Sequence, residues 1–188
     1  MASPRPYLEL TLGEWLDELA RAEPAPGGGS ALGVAVAMAA SVLTMTARLS
    51  GAPGFTAQAD GLRVRTLPLA QLDGDAYDAA LDVRSRTADL KPEQRDWEIG
   101  RAFSDAAAAA LEIGRAGADV ADLAAQLAAS GDPRVRADAL AAAALGAAAA
   151  RGAAALVAVN LTALDDDPRV AEAKQLADSA DRAAAGVD

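Results

Sequence analysis

The chain has 188 residues, 27 acidic against 17 basic, for a net charge of −10. That balance argues against a phosphate-backbone partner, because nucleic-acid binders carry basic patches. It contains no histidine and no cysteine. Disulfides, thiolate nucleophiles, Cys/His metal sites and an imidazole base are therefore excluded. Alanine supplies 53 residues, while aromatics make up only 3%. Alanine is the best helix former, and strands favour residues that are scarce here. The expectation is an all-α, single-domain bundle of about six helices over residues 1–188, some kinked. Small side chains bury little area each, so a homo-oligomer that adds interface burial is expected too.

In chain order, residues 11–22 open with Thr11 and Glu14, the spacing of a capping box. Leu12, Trp15, Leu16 and Leu19 follow at helical spacing, with Trp15 assigned to the core. Pro24 and Pro26 stop this helix. Residues 24–30 read Pro-Ala-Pro-Gly-Gly-Gly-Ser, and Ser30 is expected to cap a second helix running to about Arg48. Ala25 to Ala47 carries no charge and is long enough to span a bilayer. Its content is mostly small residues without aromatic or basic flanks, so it reads as a buried helix and not a membrane segment. Glu9, Glu14 and Asp17 break any leader pattern at the start, which points to a cytoplasmic protein.

Gly51, Pro53 and Gly54 interrupt the chain. Residues 56–90 are helical in pattern, with Pro68 ending or kinking the run. Pro92 suits a first helical position, and the following helix reaches about Ala129, with Gly114 and Gly117 as bends or close-contact points. Asp132-Pro133-Arg134-Val135 and Asp167-Pro168-Arg169-Val170 share an Asp N-cap and a Pro at the first helical position. The first opens a helix to about Leu164, the second a shorter charged helix. The Asp165–Asp167 run lacks a calcium-loop pattern and reads as a solvated turn. The tail after Gly186 is expected to fray.

The glycine loop is the most informative local feature. Three glycines let backbone N–H groups approach a ligand, and a helix N-terminus favours anions or carbonyl oxygens. It is not a nucleotide P-loop, since that spacing and its Lys are absent. The glycines can equally serve only a tight turn between packed helices.

With these residues in place, the chain resembles the cyclodeaminase/cyclohydrolase family. That family comprises the C-terminal domain of formiminotransferase-cyclodeaminase and stand-alone methenyltetrahydrofolate cyclohydrolases. The likeness is carried by an amphipathic helix with Leu16, Leu19 and Ala20, the 24–30 loop, and a small-residue helix with Met38 and Met45. Leu72-Asp73-Gly74-Asp75-Ala76 is similar to the family's Asp-x-Asp-Ala. Gly131-Asp132, Arg136, Asp138, Gly152 and Val159-Asn160-Leu161 follow the spacing of later motifs. It covers roughly residues 8–165.

The resemblance implies an all-helical homodimer with a folate pocket near the glycine loop. It implies hydrolysis of 5,10-methenyltetrahydrofolate to 10-formyltetrahydrofolate, or cyclodeamination of 5-formiminotetrahydrofolate. No tightly bound cofactor and no metal are implied; a tetrahydrofolate derivative is the substrate. Hydrolysis is the leading expectation, because no formiminotransferase domain accompanies the chain. Asp75 is the expected catalytic carboxylate and Asp138 an orienting one. Pro26, Gly27, Gly28, Gly29 and Ser30 would shape the pocket, with Asp132 and Asn160 as further contacts. Each has a plainer reading: Asp75 and Asp138 as solvated helix carboxylates, Asp132 as an N-cap, Asn160 as a core or dimer-seam hydrogen-bonder. Asp73 sits about 200° around a helix from Asp75 and cannot share its face.

The family's Leu-Pro-Lys segment is replaced by Ala88-Asp89-Leu90, with Lys91 one position late. Asp132, Ala137 and Leu156 replace Asn, Ser and Asn. The alternatives are a non-catalytic paralogue that keeps the dimer, and a plain helical interaction module.

Overall fold

The computed structural model describes residues 5–162 and 166–186. A 3₁₀ turn, Tyr7–Glu9, precedes α1 (Leu12–Leu19) and α2 (Gly28–Leu49). Then come α3 (Pro53–Thr66), α4 (Leu69–Arg86) and α5 (Pro92–Ser130). A second 3₁₀ turn, Pro133–Val135, leads into α6 (Arg136–Asn160), and α7 (Pro168–Ala185) ends the fold. The described residues contain no strand. The interrupted segment 56–90 is two helices, broken at Leu67-Pro68, so the α-helices number seven among the described residues.

Local sequence accounts for most boundaries. Thr11 accepts from the Glu14 N–H while Glu14 accepts from the Thr11 N–H, completing the capping box. Asp132 and Asp167 accept from the N–H groups of Arg134 and Arg169. Asp132 caps the 3₁₀ turn rather than α6 itself, which begins at Arg136. Gly51 adopts φ +61° between α2 and α3, a region open to glycine. α5 runs unbroken through Gly114 and Gly117 for 39 residues, and both face α6, Gly117 at close contact. Ala163, Leu164, Asp165 and the tail beyond Gly186 lie outside the described residues.

Alanine and glycine set how closely the helices approach. α5 and α6 lie along one another and form the longest contact of the fold. At their crossing, a Cβ on Gly117 would stand 2.7 Å from the Gly146 carbonyl oxygen, and the reverse holds for Gly146. α2 packs across α6, α3, α4 and α5. Its core face presents Val36, Ala39, Ala40, Leu43 and Ala47 to Ile113, Val120, Leu123 and Leu127 of α5. Where α2 meets α4, a Gly33 Cβ would come within 2.6 Å of the Ala70 backbone nitrogen. α2 and the stretch Pro133–Asn160 are long and apolar enough to cross a membrane, yet 50% and 44% of those windows are buried inside the bundle.

Candidate active site

α2 begins directly at the glycine loop, with Gly27 as N-cap and no side chain supplying a cap hydrogen bond. The first intrahelical bond runs from the Ala31 N–H to the Gly27 carbonyl at 3.0 Å. The N–H groups of Gly28, Gly29 and Ser30 therefore have no partner within the helix, as at any helix start. Ser30 is not the cap. It lies inside the first turn, fully buried, and its hydroxyl donates to Asp73 at 3.5 Å, the outer limit of a hydrogen bond. Gly27 takes the extended N-cap conformation, so the helix starts three residues earlier than a Ser30 cap requires.

α4 crosses this helix start and brings Asp73 against it. A Cβ on Gly29 would stand 2.2 Å from both Asp73 carboxylate oxygens. Only glycine leaves room for that carboxylate, a specific reason for one of the three glycines. Burial pushes the Asp73 carboxyl up to about 6, with the Ser30 hydrogen bond acting the other way. Such a group both accepts and releases a proton near neutral pH.

Around Asp73 lies a pocket of about 190 Å³, lined by Pro24, Ala25, Gly27–Gly29, Asp73, Gly74, Tyr77, Leu156, Val159 and Asn160. Tyr77 is held edge-on by Phe103 of α5, ring centroids 6.3 Å apart. The lining combines backbone donors, an apolar wall, one amide and a single carboxylate, with no cation. A ligand carrying a delocalised positive charge fits that electrostatics. Three-acid or similar groupings able to hold a metal ion do not occur among the described residues.

The structure gathers some of the sequence-expected residues here and leaves others out. Gly27, Gly28, Gly29 and Asn160 line the pocket; Pro26 is buried behind the loop, after a cis Ala25–Pro26 bond. Asp75 is not brought to it. Its carboxylate is exposed and accepts from Gln71 at 2.8 Å. The opposed faces expected for Asp73 and Asp75 are present, but the inward one is Asp73. Asp138 is exposed in the first turn of α6, and Asp132 pairs with Arg134 just before that helix. Twenty-two residues separate Asp138 from Asn160, about 33 Å of helix, so neither Asp138 nor Asp132 reaches this pocket within the chain. Arg134 holds the Asp132 carboxyl down at about 2, consistent with the N-cap reading. Lys91 is the exposed N-cap residue of α5 and does not line the pocket. Asp73, Tyr77, Leu156 and Val159 were not singled out as site residues from sequence. The helical phase of the Asp-x-Asp pair was legible; which phase faces inward was not.

Fold and site together define an all-helical protein in which a glycine-rich helix start and a half-buried carboxylate share one pocket. The sequence model described as formiminotransferase-cyclodeaminase matches residues 11–179, and the chain belongs to that family. Among solved structures, formiminotetrahydrofolate cyclodeaminase from Thermotoga maritima is similar, with a TM-score of 0.79 at 22% identity. The likeness covers 97% of this chain and 93% of that one, and at this identity it is one of fold. No curated protein matches the sequence.

Proposed function

We propose that the protein is a folate-dependent enzyme acting on the one-carbon unit that links N5 and N10 of tetrahydrofolate. The observation that carries this reading is the Asp73 carboxylate, raised to about 6 and pressed against the glycine-loop helix start. Hydrolysis of 5,10-methenyltetrahydrofolate is the leading reaction. Its bridging carbon belongs to a cationic amidinium, which suits a pocket whose lone charge is negative. Asp73 takes a proton from water as the water oxygen bonds to that carbon. The carbon–N5 bond then breaks, the formyl group stays on N10, and one proton is released overall. The orphan N–H groups of α2 and the Asn160 amide supply hydrogen bonds to the ring's polar edge. Pockets for drug-sized ligands run to about 300–1,000 Å³, so this pocket holds the reacting end while the remainder of the folate extends outward.

Cyclodeamination of 5-formiminotetrahydrofolate is the second reading, favoured by the activity named for the Thermotoga protein. There N10 attacks the formimino carbon and its proton passes to the formimino nitrogen; Asp73, in its acid form, gives that nitrogen a second proton, and it leaves as ammonia as the methenyl cation forms. The working enzyme is taken as a cytoplasmic homodimer with no tightly bound cofactor and no metal.

Absorbance of the methenyl chromophore tests both. Enzyme-dependent loss from the methenyl substrate establishes the hydrolysis, and gain from the formimino substrate establishes the cyclodeamination. Neither change above background overturns the enzymatic reading in favour of a non-catalytic paralogue.

A further inference from the structure

We propose that the outward face of α2 and α6 is the contact with a second copy of this chain, and that the pairing delivers Asp138 of the partner subunit to the pocket; the second part rests on the active-site reading above. α2 and α6 run side by side in opposite directions. Leu32 meets Gly152 near one end, and Ser50 accepts from the Asp132 N–H at 3.3 Å at the other. α5 packs beneath both, so their outward stripes face the same way. On α2 that stripe runs through Met38, Met45 and Leu49, all exposed. On α6 it runs through Ala141, Ala144, Ala148, Ala155 and Val159, also exposed. No charged residue occurs from Gly28 to Ala47 or from Ala139 to Ala150. Arg151 lies at the edge, paired with Asp181 of α7. Chains of net charge −10 repel one another, and this face meets its copy with no carboxylate in the way. It measures about 30 Å by about 20 Å across two helices. Two copies then bury on the order of 1,200 Å², above the ~1,000 Å² that a specific interface needs.

A two-fold axis can set either like ends or opposite ends of this face together. One end holds the pocket, with the Asp73 carboxylate and no cation in its lining. The other carries Arg48, Arg134 and Arg136 against Asp60, Asp132 and Asp138, with no net charge. Like ends together set two uncompensated carboxylate pockets side by side. Opposite ends avoid that, and α6 then lies antiparallel on its copy. Asp138 and Leu156 stand eighteen residues apart along α6, five full turns, so they share one side of the helix. Leu156 lines the pocket. Ala148, in the outward stripe, lies near the midpoint between them. A two-fold axis there brings Asp138 of the partner subunit level with Leu156 and on the same side, at the pocket mouth. Its carboxylate accepts there from the N–H groups of the pterin ring, away from the reacting carbon.

The chain has no cysteine, so introduced thiols report on the pairing alone. Ala148→Cys is expected to form a disulfide-linked pair on mild oxidation of dilute protein. A chain that stays single leaves the face to another occupant and overturns the proposal. A short bis-maleimide is expected to join Asp138→Cys to Leu156→Cys when the two variants are mixed, and neither to itself. Linkage within the unmixed variants only, or none at all, overturns the opposite-ended pairing. These measurements need no substrate, so failure of the folate reading leaves them intact. In the absorbance assay Asp138→Ala is expected to lower kcat/KM about 10- to 100-fold with its circular dichroism unchanged. Asp138→Ala refolded together with Asp73→Asn is expected to recover about a quarter of wild-type activity, because half the pairs are mixed and each of those holds one intact pocket. Wild-type kcat/KM in Asp138→Ala, or no recovery on mixing, overturns the delivery of Asp138 across the interface.

Discussion

At the scale of single residues, Asp73 and Gly29 act as a matched pair. If Asp73 is the proton-transfer group, Asp73→Asn lowers turnover of the methenyl substrate by about 10²-fold or more, whereas Asp75→Asn leaves it near wild type. Equal rates for wild type and Asp73→Asn would sink the assignment. The pH dependence follows from the same group. kcat/KM is expected to fall on the acid side with a midpoint about 6. The stability effect has the opposite sign from that of a salt-bridged carboxylate. A carboxyl raised from 3.8 to about 6 binds its proton more tightly folded than unfolded. Stability contributed by this group is therefore lost as pH rises through that window, and the penalty is complete above it. Asp73→Asn is expected to melt a few degrees above wild type at pH 8, and the advantage disappears below pH 4. Gly29→Ala puts a methyl group where the carboxylate sits. Because the clash is with a movable side chain, the variant is expected to fold and lose turnover together with the Asp73 shift; circular dichroism and the absorbance assay separate the two.

Helices and their joints respond differently. Two stretches share the order Asp-Pro-Arg-Val and the same cap, yet their arginines stand in unlike surroundings. Arg134 is 85% exposed beyond its partner Asp132. Arg169 is 25% exposed, and besides Asp167 it donates to the Ser104 carbonyl at 2.9 Å and hydroxyl at 2.8 Å, tying the start of α7 to α5. Arg169→Ala is expected to cost about 1.5–3 kcal/mol, measured by urea unfolding, whereas Arg134→Ala is expected to leave the unfolding midpoint close to wild type. Gly33→Ala faces backbone, not a flexible side chain. α2 and α4 must separate to admit it, at about 1–3 kcal/mol. Since α4 carries Asp73, that variant is expected to lose turnover as well as stability.

For the molecule as a whole, small residues permit helices to touch through their backbones, and the core is correspondingly thin. Several large apolar side chains remain on the outside, among them Leu12 and Leu16 of α1 and Met38, Met45 and Leu49 of α2. Their exposure accords with the homodimer in the proposed reading. Light scattering of purified protein is expected to return twice the 18.9 kDa chain mass; a mass equal to one chain would remove the dimer from the reading.

Composition and local pattern determined the helical class, the Thr11 capping box, the two Asp-Pro caps, the break at Pro68 and the glycine loop as the place to look. Each depends on neighbours within about four residues, and such interactions are written in consecutive letters. The homologous motif order led to the family for the same reason. What decided the site lies between helices that are distant in sequence. Asp73 and Asp75 are indistinguishable locally, and only the crossing of α4 over α2 turns one into a half-buried acid and leaves the other bonded to Gln71 in solvent. Ser30 has the letters of an N-cap, but α2 starts at Gly28, which leaves Ser30 inside the first turn, buried and donating to Asp73. Asp138 follows the motif spacing, yet the unbroken helix α6 carries it about 33 Å from Asn160. Periodicity specifies which residues share a face. Which face turns inward depends on where glycine lets two backbones meet, and that is a property of the packed bundle.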